Sequence, residues 1–441
     1  MDSFRPVLAG LLLALPLVRG EEIPLKPARL AEPAWCGYAD SFVALREGEV
    51  RLVGRGFPVT RDGKALSVAW KEKSLKPAAK AAFLDEGLAA VGLVLEAPPG
   101  IQDAEPLPEA LLFLAGALEG KVAGQTLRFL DLDGNGSALD FGKDGVLYPG
   151  SRSLVPLERR MVVGRSAVEF SVQEGRLSAK VEPVRGNKPT EDEWKGMELW
   201  NGYRLALGVP ALELDAALSA ACSAHAQYLL RNPGSPSNEE DPALPGFTPQ
   251  GRDAALNSCV NHEAAAFAPA YFLTMLYHET CLIQPVARRA GFAGLPGQCL
   301  MDGLRDESGQ VPYRWPLPVP APWQTLAWTA CPGPERPSPV PEGSTTGVGP
   351  PVLLMFDPGE VPRTSEVRGA LVRLNQGRRE PQAVWLSSPD KPANPAQAAN
   401  KNCIALIPRT ALRPGSEYEA DIRYLLDGKP CRARWRFFTA K

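Results

Sequence analysis

Hydrophobic and polar positions alternate over much of the first 185 residues. Runs such as EVRLVGRGF, SAVEFSV and RLSAKVEPV are separated by glycine, proline and charged residues, a pattern typical of short strands joined by turns. Two further apolar stretches, AAFLDEGLAAVGLVLEA and PEALLFLAGALEG, fit helices or buried strands, because periodicity alone does not separate the two. Residues 22–185 are therefore predicted to form a β-rich N-terminal domain.

A helical period begins after Thr190. Thr190 and Glu193 form a capping box, which marks a helix start, and Gly208 ends the apolar stripe that follows. A second helix is predicted behind Asp215 as N-cap, with His225 on its apolar face. The polar, proline-rich text from 233 to 249 predicts a long loop, and a third helix is expected to include AYFLTMLYH. These elements define a unit at 190–330.

The sequence changes character again after residue 330. Residues 331–350 are dense in proline, which predicts a stiff linker. Residues 351–441 contain six short alternating runs, with the Asp427-Gly428 pair favouring a tight hairpin. Such a spacing of strands indicates a β-sandwich. The predicted fold class is multidomain α+β.

Charge and the N-terminus bear on where the protein works. The 48 Lys and Arg nearly balance the 50 Asp and Glu, a net charge of -2, so no overall field recruits nucleic acid. Arg5 precedes the apolar run 7–18, and Val18 and Gly20 are small residues at a suitable cleavage point. Residues 1–20 are therefore predicted to be a signal peptide. We expect a secreted, periplasmic or cell-surface protein without an integral membrane segment, because the apolar run is short for a spanning helix.

Eight cysteines are an even number, which in an oxidising compartment permits four disulfides. Four of them, Cys222, Cys259, Cys281 and Cys299, fall within one stretch of the middle unit. We expect bridges within that stretch and allow a further one between Cys403 and Cys431.

The segment DLDGNGSALDFGKDG carries alternating oxygen donors at Asp131, Asp133 and Asn135. Such spacing lets oxygens converge on one hard cation, as in calcium loops. The twelfth position, Gly142, lacks the usual glutamate, so Asp140 or Asp144 would have to complete the shell. The alternative is a turn stabilised by Asx and Asn-Gly geometry that binds nothing. Calcium is the one cofactor that the sequence suggests.

The middle unit resembles the CAP superfamily, also called SCP-like, in its bacterial form. The resemblance rests on WNGYRLALGVPALELDAALSAACSAHAQYLL, EEDPALPGFTPQG and YFLTMLYHETCLIQPVARRAGF. It implies an α-β-α sandwich with a cleft that, in many members, holds two histidines and two acidic residues. Residues near the C-terminus, LRPGSEYEADIRYLLDGKPCRARWRFFT, are similar to bacterial Ig-like modules, which usually act as spacers or adhesion elements.

Carried over residue by residue, the cleft is only half retained. His278 matches the cleft histidine of the third helix, and Glu240 matches an acidic position, but Asn238 stands where the family has its other histidine. The family's remaining glutamate is missing around Asn257 and Ser258. His225 is predicted to pack in the core with one nitrogen hydrogen-bonded, and His262 to lie in a loop.

Three functions remain open from the sequence. The first is a non-enzymatic binder of an extracellular protein, glycan or lipid, because one imidazole and one carboxylate do not hold catalytic zinc. The second is a hydrolase in which His278 and Glu240 act as an acid-base pair; a Cys281 nucleophile beside His278 is a variant of it. The third is a surface protein stabilised by calcium at the Asp131 loop.

Overall fold

The computed structural model describes most of the chain. The described residues are 20–39, 41–44, 48–52, 55–62, 65–70, 73–76, 82–84, 88, 90–95, 100–101, 110–182, 188–303, 313–341, 343–359, 361–396 and 402–441. The predicted signal peptide lies outside them except for its last residue. Within the described residues, no helix is long and apolar enough to cross a membrane.

Strands dominate the described residues, and the five helices all lie in the middle of the chain. The helices are α1 (Glu191–Ala206), α2 (Ala216–Arg231), α3 (Pro249–Asn257), α4 (Ala268–Phe272) and α5 (Leu276–Leu282). The strands are β1 (Glu21–Glu22), β2 (Lys26–Arg29), β3 (Trp35–Cys36), β4 (Phe42–Ala44), β5 (Gly48–Leu52), β6 (Arg55–Asp62), β7 (Ala65–Trp70), β8 (Lys73–Leu75), β9 (Ala82–Leu84), β10 (Val91–Leu95), β11 (Gly100–Ile101), β12 (Ala110–Leu114), β13 (Gly116–Val122), β14 (Gln125–Leu130), β15 (Gly145–Leu147), β16 (Ser153–Pro156), β17 (Arg160–Val163), β18 (Ser166–Gln173), β19 (Arg176–Glu182), β20 (Glu213–Leu214), β21 (Ser258–Asn261), β22 (Arg289–Leu295), β23 (Gln298–Asp302), β24 (Leu317–Val319), β25 (Thr325–Leu326), β26 (Val352–Met355), β27 (Thr364–Asn375), β28 (Arg378–Gln382), β29 (Val384–Ser387), β30 (Cys403–Pro408), β31 (Glu417–Leu426) and β32 (Lys429–Thr439).

The N-terminal unit is built from strands, which confirms the β-rich prediction. Its sheets have the orders β1-β19-β18-β17, β2-β13-β14-β15-β16-β3, β4-β12-β10-β9 and β5-β6-β7-β8. The two ambiguous apolar stretches contain strands β9, β10, β12 and β13 where they are described. Phe129 of β14 and Phe170 of β18 meet edge to face with ring centroids 6.4 Å apart, so the first two sheets share one core.

The middle unit places helices on both faces of one sheet, β20-β22-β23-β21. On β22, Phe292 packs with the α1 and α4 side chains, whereas its neighbour Ala293 packs with α2 and α3. Alternating side chains of a strand point to opposite faces, so the sheet separates two layers of helices. The predicted caps are confirmed: Thr190 and Glu193 form the capping box of α1, and Asp215 caps α2.

Two helix predictions need correction. The expected third helix is split into α4 and α5 by residues 273–275. At the break, the Thr274 hydroxyl donates to the carbonyl oxygens of Ala270 and Tyr271 at 3.2 and 2.9 Å. The structure also contains a helix that was not predicted, α3, which begins at Pro249 at the end of the predicted loop. Thr248 caps this helix, because its Oγ1 accepts the Gly251 N–H.

The C-terminal strands form two sheets, β24-β26-β30-β29 and β11-β32-β31-β27-β28, with β25 paired to β32. Asp427 and Gly428 both have positive φ, 50° and 76°, between the paired residues Leu426 and Lys429. This is the tight hairpin that the Asp-Gly pair predicts. Strands β11, β24 and β25 come from outside 351–441, so these sheets recruit earlier parts of the chain.

The proline-rich segment 331–350 packs into the protein. Cys331, Glu335, Val340 and Val348 are 4%, 1%, 0% and 4% exposed, and Val340 and Val348 belong to one core that extends from α1 to β32. The prediction of a linker is therefore corrected. Proline limits hydrogen bonding and backbone freedom, but it does not keep a segment away from a core.

The cysteine prediction is wrong: none of the eight forms a disulfide. Cys222, Cys259 and Cys299 of the middle unit are buried at separate positions, and Cys222 lies 3.8 Å from the Ser258 hydroxyl. Cys403 and Cys431 are not bridged either. Cys259, Cys299 and Cys403 belong to the hydrophobic core, where buried cysteines commonly pack as small apolar groups.

Candidate functional site

His225 and Glu240 form a fully buried pair beneath the loop that follows α2. The His225 Nδ1 atom lies 3.0 Å from Glu240 Oε1, and both side chains are 0% exposed. The second nitrogen, Nε2, lies 2.9 Å from the Ser237 carbonyl oxygen, so Nε2 carries a proton. Burial of His225 is confirmed, but the prediction of a single hydrogen-bonded nitrogen is wrong, because both nitrogens are used.

The surrounding loop closes on the Glu240 carboxylate. Its Oε2 accepts the Thr248 N–H at 3.1 Å, so both carboxylate oxygens have partners. A Cβ on Gly251 would lie 2.4 Å from Glu240 Oε1, so the backbone approaches as closely as a glycine allows. Every polar atom of the pair is occupied. His225 and Glu240 therefore tie the loop to α2, and both nitrogens of the imidazole are engaged by protein atoms.

His278 has a different carboxylate partner, Glu335 from the proline-rich segment. His278 Nδ1 lies 2.9 Å from Glu335 Oε1. The same oxygen accepts the backbone N–H groups of Tyr277 at 2.7 Å and His278 at 3.3 Å. Glu335 thus caps the first turn of α5, where Met275 supplies no side-chain cap.

The His278 ring is held from two sides and faces outward. It stacks on Phe272 with centroids 4.8 Å apart, and its side chain is 24% exposed while that of Glu335 is 0% exposed. No described residue forms a hydrogen bond with Nε2 of His278. This arrangement fixes the ring and presents one nitrogen to the exterior, as a general base or a ligand-binding imidazole requires.

The predicted pair of His278 and Glu240 does not form a hydrogen bond. Among the described residues, Glu240 bonds His225 and Thr248, and His278 bonds Glu335. The Asn238 side chain is exposed. The groups that the family resemblance assigns to one cleft therefore have separate partners.

The neighbouring thiol is not prepared as a nucleophile. Burial raises the pKa of Cys281 above its ordinary value, so the thiolate is disfavoured. Cys281 forms no disulfide, and no hydrogen bond joins it to His278 among the described residues. These observations give no support to the hypothesis that Cys281 acts as a nucleophile beside His278.

One more acidic residue lies close by in the core. Glu279 is 1% exposed, and its Oε1 accepts a hydrogen bond from the Tyr203 hydroxyl. Its Oε2 has no hydrogen-bond partner. Burial is the main reason that the pKa of Glu279 lies well above its ordinary value. His262, as predicted, is an exposed loop residue, with Nδ1 2.9 Å from the Gly297 carbonyl oxygen.

A comparison with known families bears on residues 197–293, which match the CAP family model, described as the cysteine-rich secretory protein family. The chain contains a CAP domain. The match begins within α1 and ends within β22, so it includes His225, Glu240 and His278 but not Glu335. Comparisons with curated proteins and with solved structures gave no match.

Glu335 was missed by sequence reasoning. It lies 57 residues after His278, inside a tract read as a spacer, and nothing local marks it as a partner. A weak signal existed for Glu240: a histidine on an apolar helical stripe needs polar partners when it is buried, and the following loop carries acidic residues.

The Asp131 loop of the N-terminal unit brings part of the predicted calcium set together. Ligand oxygens of Asp131, Asp133 and Asp144 all lie within 4.8 Å of one another. Asn135 Nδ2 donates to Asp133 Oδ2 at 3.2 Å and to Asp140 Oδ2 at 2.5 Å. The five predicted residues therefore form one cluster.

Two of these carboxylates also organise the backbone. Asp131 accepts the N–H groups of Gly134 and Gly136 at 2.6 and 2.8 Å, and Asp144 accepts those of Leu132 and Asp140 at 3.0 and 2.7 Å. Burial, with repulsion from the neighbouring carboxylates, raises the pKa of Asp144 to about 7. An oxygen-rich cluster of this charge fits a hard divalent cation, which would relieve the repulsion.

Proposed function

We propose that this is an exported binding protein whose CAP domain takes a protein, glycan or lipid ligand at or outside the cell surface, without catalysing a reaction. The main support for the proposal is that both carboxylate oxygens of Glu240 already have hydrogen-bond partners within the protein. With both of its oxygens bonded to the protein, Glu240 is not available to act with His278. Catalytic zinc normally needs three protein ligands, and His278 with Glu335 offers fewer.

Zinc titration of the full chain tests the absence of a metal centre. We expect no stoichiometric zinc binding by calorimetry at neutral pH. A tight one-to-one site that disappears in His278→Ala but persists in the matched variant His262→Ala would contradict the proposal.

Ligand binding itself needs a separate experiment. Purified protein is analysed by native mass spectrometry for co-purifying lipids and is probed on a glycan array. A stoichiometric adduct or a saturable glycan signal supports the proposal and names the ligand class. Absence of both, together with turnover of any substrate, would overturn it.

A second candidate function is acid-base catalysis at His278, favoured by one observation. The Glu335 carboxylate orients the ring through Nδ1 and leaves Nε2 outward, as in a base held by an acidic residue. Assays with fluorogenic peptides and cell-wall fragments separate this candidate from the binder. Turnover that is lost in His278→Gln, with folding unchanged by circular dichroism, would favour the hydrolase.

We also propose that the Asp131 loop holds calcium as a structural ion. Asp131, Asp133, Asn135, Asp140 and Asp144 would supply the oxygens, and the ion would stabilise the folded state by mass action, about 2.7 kcal/mol at a hundredfold excess over its dissociation constant. Calcium should therefore raise the melting temperature and chelator should lower it.

Asp133→Ala sharpens the calcium test, because Asp133 is exposed and bonds little of the loop backbone. The variant should keep the melting temperature of the chelated protein and lose the calcium response. The matched control, Asp192→Ala on α1, should keep the response. An unchanged melting temperature with and without chelator would contradict the proposal.

A further inference from the structure

A cavity of about 540 Å³ lies between the N-terminal unit and the CAP domain. One wall comes from residues 141–162, and the other from residues 210–213 and 288–289. Four arginines and two glutamates line it, so the lining carries a formal charge of +2 in a protein of net charge -2. We call it the interdomain arginine cavity.

Two of the arginines are neutralised by the two glutamates. Arg288 donates to both oxygens of Glu158 at 2.8 and 2.6 Å, and Arg160 donates to both oxygens of Glu213 at 2.7 and 2.8 Å. Both bidentate pairs run between the two units. They hold the two walls of the cavity together, and both glutamates of the lining are paired in them.

The other two arginines differ in their partners. Arg289 is half exposed and lies 3.1 Å from Asp215, which is outside the lining. Arg159 is exposed, and its guanidinium lies 4.9 Å from the centre of the Phe141 ring. No described residue forms an ion pair with Arg159. Stacking holds the guanidinium in place and leaves its N–H edge for a ligand.

From these contacts we propose that the interdomain arginine cavity binds a small anion that carries carboxylate or phosphate groups. The planar guanidinium matches both groups through paired hydrogen bonds. The cavity volume falls within the range of small-molecule sites, roughly 300–1,000 Å³. Arg159 is the binding residue, and the Arg288–Glu158 and Arg160–Glu213 pairs position the walls. This site goes beyond the proposed function of the CAP domain, since Arg159 lies outside that domain.

Calorimetry with chosen probes tests the proposal on the full chain. Citrate represents the carboxylate source, pyrophosphate the phosphate source, and sucrose serves as an uncharged molecule of similar size. We expect at least one anion to bind with affinity that falls as salt rises, and sucrose not to bind. The anion should also raise the melting temperature, because it binds only the folded protein.

Arg159→Gln should weaken that binding by about tenfold or more, the effect of losing one charge-assisted hydrogen bond. The matched control is Arg378→Gln, an exposed arginine of the C-terminal sheet, which should bind as the original protein does. Binding by neither anion, or equal affinity in Arg159→Gln, would overturn the proposal. Both results leave the CAP-domain proposal untouched, because its tests use His278 and lipid or glycan ligands.

Discussion

Replacing Glu335 by alanine should destabilise the protein through α5. The carboxylate is fully buried and accepts three hydrogen bonds, from the Tyr277 and His278 backbone and from His278 Nδ1. In Glu335→Ala, the two N–H groups at the start of α5 lose their acceptor, and the His278 ring loses the group that orients it.

The size of the effect follows from these losses. A missing helix cap costs about 0.5–2 kcal/mol, and a buried polar group left without a partner costs about 1–3 kcal/mol. Part of this is offset, because Glu335 Oε2 is buried without a partner in the original protein and its removal ends that cost. We expect a net loss of about 1–3 kcal/mol in the free energy of unfolding.

Urea unfolding followed by tryptophan fluorescence measures this loss. Trp200 and Trp435 are buried in the same core as α5, so the signal reports the relevant region. A double-mutant cycle with His278→Ala should show a coupling energy of about 1 kcal/mol or more, because the two side chains are in contact.

The matched control is Glu239→Ala, in which an exposed glutamate is removed. It should change the unfolding free energy by less than about 0.5 kcal/mol. If Glu335→Ala is no less stable than Glu239→Ala, the capping argument is wrong. If the cycle shows no coupling, the His278 contact contributes nothing to the fold.

Other substitutions test the buried groups of the middle unit. Since the pKa of Glu279 is raised on folding, the folded state holds the proton more tightly, and stability should fall as pH rises above the unfolded pKa of about 4.5. Glu279→Gln should flatten this dependence of stability on pH in thermal melts from pH 5 to 8. An unchanged slope would contradict the conclusion that Glu279 is responsible for it. Gly251→Ala places a Cβ 2.4 Å from Glu240 Oε1 and should cost about 1–3 kcal/mol by calorimetric melting. Gly202→Ala on α1, where no atom lies within 4 Å, should instead stabilise by about 0.5–1 kcal/mol, and equal effects of the two would refute the steric argument.

Local sequence signals predicted the features that depend on local contacts. The capping box of Thr190 and Glu193 and the Asp427-Gly428 turn are set by residues within a few positions of each other. The burial of His225 followed from its place on a helical stripe. Each of these needs only the geometry of one element.

Distant contacts account for what was missed. The break between α4 and α5 lies at Thr274, whose carbonyl oxygen accepts a hydrogen bond from Cys331 at 2.6 Å. The partner of His278 is likewise in the proline-rich segment. The disulfide prediction relied on an even count and an inferred compartment, and neither says which cysteines lie within bonding distance.

The proline-rich segment changes how the CAP domain should be regarded. The family match ends at residue 293, yet Glu335, which caps α5 and orients His278, lies beyond it. Val348 belongs to the core that joins the CAP domain to the C-terminal sheets. The orientation of His278 is therefore a property of the longer chain, because the carboxylate that sets it enters with the segment that connects the two units. A ligand that contacts Nε2 of His278 therefore contacts a ring whose orientation depends on both the CAP domain and the proline-rich segment.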